Sequence, residues 1–132
     1  MKIAALIARI LLGLTFVVFG LNFFFPQVLH MASPPMSQRA TAFSMGLWGS
    51  GYFFQFLKVI EILSGLFLLL NRYTAFFLLV LLPISVNVFL FHTILAPAGI
   101  PVGVTILVLN LFLCVAHIKY YTSVFTAKPT VG

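Results

Sequence analysis

Residues 52–70 form an apolar run long enough to cross a bilayer. Glu61, the only acidic residue among 132, stands near its middle. A hydrocarbon core of about 30 Å takes roughly 20 helical residues. Counting from Tyr52 at about 1.5 Å per residue places Glu61 about 13.5 Å deep, close to the midplane. An ionisable group at that depth costs at least about 2.5–3.5 kcal/mol and must face protein or water with a partner in reach. Lys58, one turn earlier at i,i+3, falls on the same helix face. The rest of the chain therefore has to surround this stretch, which calls for an all-α integral membrane bundle.

Composition leaves no soluble alternative. The chain is 63% hydrophobic and 6% charged, whereas soluble domains carry about 25% charged residues. A single membrane domain accounts for its length. The net charge of +6 does not indicate nucleic acid, because the basic residues are scattered and form no basic helix face. A lone cysteine, Cys114, excludes an intrachain disulfide, a CxxC pair and a thiolate zinc site. Lys2 precedes an apolar stretch reaching Phe25. That stretch exceeds a signal-peptide core of about 7–15 residues and no A-x-A site follows, so a retained helix is expected.

Four spans result, over residues 4–25, 52–70, 74–95 and 102–120. In the first, Arg9, Gly13, Phe16 and Gly20 recur on one face, and such small-residue stripes let helices approach closely. Arg9 either snorkels to the headgroups or turns inward to Glu61. The loop over 26–51 carries Pro26, Pro34 and Pro35. It is either irregular or holds an interfacial helix over 37–47, capped by Ser37, with Met36, Ala40, Phe43 and Leu47 at amphipathic spacing. Trp48 and Tyr52 suit the interface. Asn71 and Arg72 make a very short turn. Pro83 inside the third span frees the carbonyl of Leu79 and predicts a kink. The uncharged run APAGIP (96–101) reads as a turn. Asn110, Cys114 and His117 share a face of the fourth span.

Lys2, Arg9, Arg72, Lys119 and Lys128 fall on one side of such a bundle and only Arg39 on the other. The positive-inside rule then makes both termini cytoplasmic. A weak repeat relates the two halves: Asn22 and Asn87 each precede phenylalanines, and VIEIL around Glu61 resembles VLNLF around Asn110. That pattern fits a parallel duplication of a helical hairpin.

The main candidate site is a polar layer of Lys58, Glu61, Asn87 and Asn110, with Arg9, Asn22 and His92 as further candidates. An intramembrane acid marks a proton or substrate site by default; otherwise the same residues satisfy Glu61 and lock the bundle. His92 and His117 lie near opposite ends and cannot share a haem. His30 and His92 could meet as a metal pair or a quinone contact, or stand as plain interfacial histidines. No catalytic group and no metal ligand set is expected, and a single acid excludes two-carboxylate catalysis in a monomer.

Together, ARILLGLTFVVFGLNFFF, SPPM, GYFFQFLKVIEILSGLFLLLNRY and LLPISVNVFLFHTILAPAGIP resemble the DoxX-like family of small bacterial membrane proteins, with the last span and tail diverging. The resemblance implies a four-helix protein of the bacterial inner membrane. It also implies association, in some members, with quinone-linked sulfur oxidation or membrane redox assemblies. The family's fourth span often carries an acid where Asn110 stands here.

The expected role is a non-catalytic membrane subunit or anchor of a redox or envelope complex. The alternative is a small carrier or proton-coupled binder of lipid or quinone using Glu61. Membrane lipid, protein partners in a membrane complex and a second copy of the chain are the partners these readings admit. Nucleic acid is not among them, and no cofactor is required.

Overall fold

The computed structural model describes residues 2–25 and 36–132. Among them, α1 (Lys2–Phe24) is followed by α2 (Gln38–Gly49), α3 (Phe53–Leu70), α4 (Thr74–Leu90) and α5 (Ile100–Ala116). The third crossing runs past α4 through a π-helical turn (Phe91–Leu95). A 3-10 turn (Pro97–Gly99) leads into α5, and another (Ile118–Tyr120) follows it. Among the described residues, four helical stretches are long and apolar enough to span a bilayer: Lys2–Phe24, Phe53–Leu70, Thr74–Leu95 and Pro97–Ala116. The protein is an all-α, multi-pass integral membrane protein built as a four-helix bundle. The stopping role read for Pro26, and the positions of His30, Pro34 and Pro35, lie outside the described residues.

Local chemistry sets the element ends. Ser37 caps α2, its hydroxyl accepting from the Ala40 amide at 3.1 Å. The same hydroxyl donates to the Leu95 carbonyl at 2.7 Å, tying α2 to the end of the third crossing. α3 closes with Asn71 in the left-handed region at φ 52°, a conformation asparagine tolerates. The Arg72 amide reaches back to the Phe67 carbonyl, the Asn71 amide to Leu68, and the Asn71 side chain accepts from the Thr74 hydroxyl at 2.7 Å. This tight closure forces α3 and α4 into an antiparallel pair.

The fourth span is displaced from the 102–120 expected. Ile100 and Pro101 already belong to the first turn of α5, where proline's missing N–H costs nothing, and the helix ends at Ala116 with His117 as its cap. Pro83 sits inside α4 with its ring exposed, and the helix continues on both sides of it.

The spans form a closed ring in which α1 packs on α3, α3 on α4, α4 on α5 and α5 back on α1. Lys2, Asn71 and His117 border one recess, so the two termini share an end of the bundle. α2 packs across the opposite end, with Trp48 against Phe23 (5.7 Å between ring centroids) and Phe43 against Phe91 (5.6 Å). Leu12, Leu68, Leu78, Leu81 and Leu113 are fully buried along the axis. At the termini end Tyr121 is buried and donates to the Ala75 carbonyl at 2.8 Å. Burial pushes its phenol above the ordinary range, which keeps the donor proton in place.

α1 and α3 approach closely at a pair of glycines. A Cβ on Gly13 would fall 2.9 Å from the Gly65 carbonyl oxygen, and one on Gly65 would fall 2.7 Å from the Gly13 carbonyl oxygen. Lipid tails are as apolar as the helices, so tight backbone packing of this kind is a main source of association. Gly65→Ala should lower thermal stability in detergent by about 1–3 kcal/mol, because α1 and α3 must separate to admit the methyl group. Gly46→Ala, on α2 with open space around it, should instead leave stability unchanged or raise it slightly. Equal behaviour of the two variants would show that the glycine contact is not what holds the pair.

Candidate functional site

The inward face of α3 carries Glu61, Ser64, Gly65 and Leu68, all buried. Glu61 is 3% exposed, and its Oε2 lies 3.1 Å from Lys58 Nζ. The ammonium also sits 5.6 Å from the centre of the Phe54 ring, a favourable cation–π position. Carboxylate, ammonium and aromatic face thus form one unit on a single helix. Gln55 and Ser64 extend this polar row by one i,i+3 step at either end. Gln55 Oε1 and Ser64 Oγ are buried with no hydrogen-bond partner among the described residues, as is Asn22 Oδ1 on α1.

The polar layer expected from Lys58, Glu61, Asn87 and Asn110 divides. Asn110 is fully buried on α5, and its amide donates to Ser85 Oγ on α4 at 2.8 Å, with the Cys114 thiol 3.5 Å from its Oδ1. No hydrogen bond joins Asn110 to Glu61. Asn87 does not belong to the layer. The buried face of α4 runs Thr74, Leu78, Leu81, Ser85, and a residue two positions on is rotated by about 200°. Asn87 is therefore exposed, and it borders a groove of about 260 Å³ with Arg39, Phe43 and Phe91. Ser85, not singled out from sequence, is the polar residue that α4 turns inward. Its signal was the spacing to Leu78 and Leu81.

Arg9 does not turn inward to Glu61. Its Nη1 donates to the carbonyls of Leu68 and, at 3.2 Å, Leu69, at the C-terminal end of α3, where unpaired carbonyls and the helix dipole favour a cation. It is half-buried and makes no Glu61 pair. His92 stacks edge-on against Phe91 and lies so close over Gly99 that no side chain fits there; its Nδ1 is buried without a partner among the described residues. His117 is at the other end of the bundle, its Nδ1 2.9 Å from the Leu113 carbonyl. The His30 contact considered for His92 lies outside the described residues.

The two hairpins share a register. With Asn22 set on Asn87, Gly13, Phe16 and Gly20 fall on Leu78, Leu81 and Ser85. With Glu61 set on Asn110, Ser64 falls on Leu113. All of these except the two reference asparagines Asn22 and Asn87 are buried. The match is partial, since buried Ala8, Leu12, Gly65 and Leu68 fall on the less buried Tyr73, Phe77, Cys114 and His117, and the polar pairs differ between the two hairpins. Asn110 meets Ser85 across its hairpin, whereas the corresponding position facing Glu61 is Gly20, where Ile62 leaves no room for a side chain. Glu61 has no partner across the hairpin and takes Lys58 from its own helix.

A buried ion pair is more sensitive to losing one member than to losing both. Lys58→Met should destabilise the bundle by about 3–5 kcal/mol, while Lys58→Met with Glu61→Gln should recover most of that loss in thermal unfolding. Failure of the second change to rescue the first would show that the two groups are not energetically coupled. In a double-mutant cycle, Ser85→Ala and Asn110→Ala should show a coupling of about 0.6–2 kcal/mol.

A family model described as DoxX matches residues 4–94. The match takes in α1 to α4 and stops short of α5, which carries Asn110. No curated protein and no solved structure matches the chain. With well over half of its residues covered by that model, the chain belongs to the DoxX family.

Proposed function

We propose that this protein is a non-catalytic component of the bacterial inner membrane, a four-helix subunit or anchor within a larger redox or envelope assembly, with both termini cytoplasmic. The observation that carries this reading is the closure of the Lys58–Glu61 pair. The carboxylate is buried, met by an ammonium 3.1 Å away, and borders neither the recess at the termini end nor the groove beside Asn87. A buried carboxylate held by an ammonium on its own helix acts as an internal lock. About a quarter of the residues in each span's apolar window are buried, and the exposed apolar side chains are what the protein offers to lipid and to other membrane polypeptides.

Gln55 Oε1, Ser64 Oγ and Asn22 Oδ1, buried without partners among the described residues, favour a second reading. They extend a row of polar groups on either side of Glu61, as a small carrier of protons, lipid or quinone would need.

Extraction in mild detergent at native expression, followed by native mass spectrometry, tests the first reading. A second polypeptide at fixed stoichiometry is expected, and it should be retained by the Lys58→Met/Glu61→Gln variant. Recovery of the chain only as a homo-oligomer would overturn the subunit reading. An intact complex whose cellular phenotype is abolished by the double variant would move the assignment to the carrier.

A further inference from the structure

At the termini end, Lys2, Ala5, Leu6, Arg9, Asn71 and His117 enclose a recess of about 230 Å³. Its polar members come from three separate places: the start and second turn of α1, the α3–α4 turn, and the cap of α5. We infer that this recess binds the phosphodiester of an anionic lipid headgroup.

The electrostatics are one-sided. Arg9 is half-buried, and the partners it has among the described residues, the Leu68 and Leu69 carbonyls, are neutral. The only acidic side chain in the sequence, Glu61, is paired with Lys58 near mid-span. Lys2 and Arg9 thus border one concavity with no side-chain carboxylate to balance them. Both carbonyl bonds use Nη1, which fixes the guanidinium and leaves Nη2 and Nε as donors. A guanidinium edge held in place suits two phosphate oxygens at once.

Asn71 adds a neutral donor. Asn71 Oδ1 is occupied by the Thr74 hydroxyl, so the amide nitrogen is the part of that side chain free to engage a ligand. The Leu113 carbonyl can only accept, so His117 Nδ1–H is spent on it, and the ring offers Nε2 to the recess as a donor only in the imidazolium form. The first turn of α1, with its unpaired amides, lies at the same end and favours an anion.

A lipid is preferred to free phosphate because of what surrounds the recess. Leu6 in its wall is exposed and continues into exposed Ile3, Ile7 and Ile10 on α1. A headgroup seated between Lys2 and Arg9 would lay its acyl chains along that apolar strip.

Titration of the detergent-solubilised protein with phosphatidylglycerol, phosphatidylcholine or soluble glycerophosphate, followed by native mass spectrometry, tests the site. Wild type should retain phosphatidylglycerol in preference to phosphatidylcholine, and glycerophosphate should not displace it. Lys2→Gln with His117→Gln should weaken phosphatidylglycerol binding by at least about fivefold. Lys119→Gln with Lys128→Gln, which removes charge from the same end but outside the recess, should leave it unchanged. Lys2→Gln alone, at an exposed position, carries the test if the His117 change lowers stability. Equal binding by wild type and the Lys2 variants would overturn the proposal. So would equal loss in the Lys119/Lys128 pair, equal retention of phosphatidylcholine, or displacement by glycerophosphate.

Discussion

The close passage of α1 over α3 at Gly13 and Gly65 is the contact on which the other features rest. With carbonyl oxygens of each helix lying where the other's Cβ would be, the backbones sit nearer than side chains normally permit. That nearness brings Arg9 within reach of the last carbonyls of α3. It also seats Gly20 against Ile62, removing the room in which a polar partner for Glu61 could stand. A wider crossing would loosen the Arg9 cap and admit acyl chains toward a carboxylate that lipid cannot solvate.

Two solutions to the same problem coexist in one bundle. In the α4–α5 hairpin a neutral amide and a hydroxyl satisfy each other across the helices, which costs little and adds a modest link. In the α1–α3 pair the corresponding position holds an acid, and its partner comes from one turn away on the same helix. The intrahelical pair neutralises Glu61 without contributing directly to helix–helix attachment. Attachment there falls to the glycine contact, the Arg9 cap and the Phe23–Phe54 stack, with ring centroids 4.8 Å apart. The two halves of the bundle thus differ in polar content.

The ends of the bundle are chemically unlike. At one end α2 closes the helices with a shared Ser37 hydroxyl and paired aromatics. At the other, basic side chains gather around a concavity with no acidic side chain nearby. Membrane proteins set their orientation by such asymmetry, and here the cationic end is shaped as well as charged.

Much of this was legible in the residues. Apolar runs of bilayer length, broken by proline and short polar turns, leave a chain no choice but to span, because buried backbone groups in lipid must be satisfied within helices. The i,i+3 spacing of Lys58 and Glu61, the glycine stripe of α1 and the Ser37 cap are local patterns, and local patterns survive into the fold. What the residues left open were the contacts between helices. Whether Arg9 met Glu61 or a helix end, and whether Asn87 or Ser85 faced inward, turned on which way each helix was rotated about its axis and on the approach of two backbones. Apolar sequences encode such rotations weakly, since nearly every face of each helix is hydrophobic. Only packing, by choosing which faces meet, decided where the few polar groups would find one another.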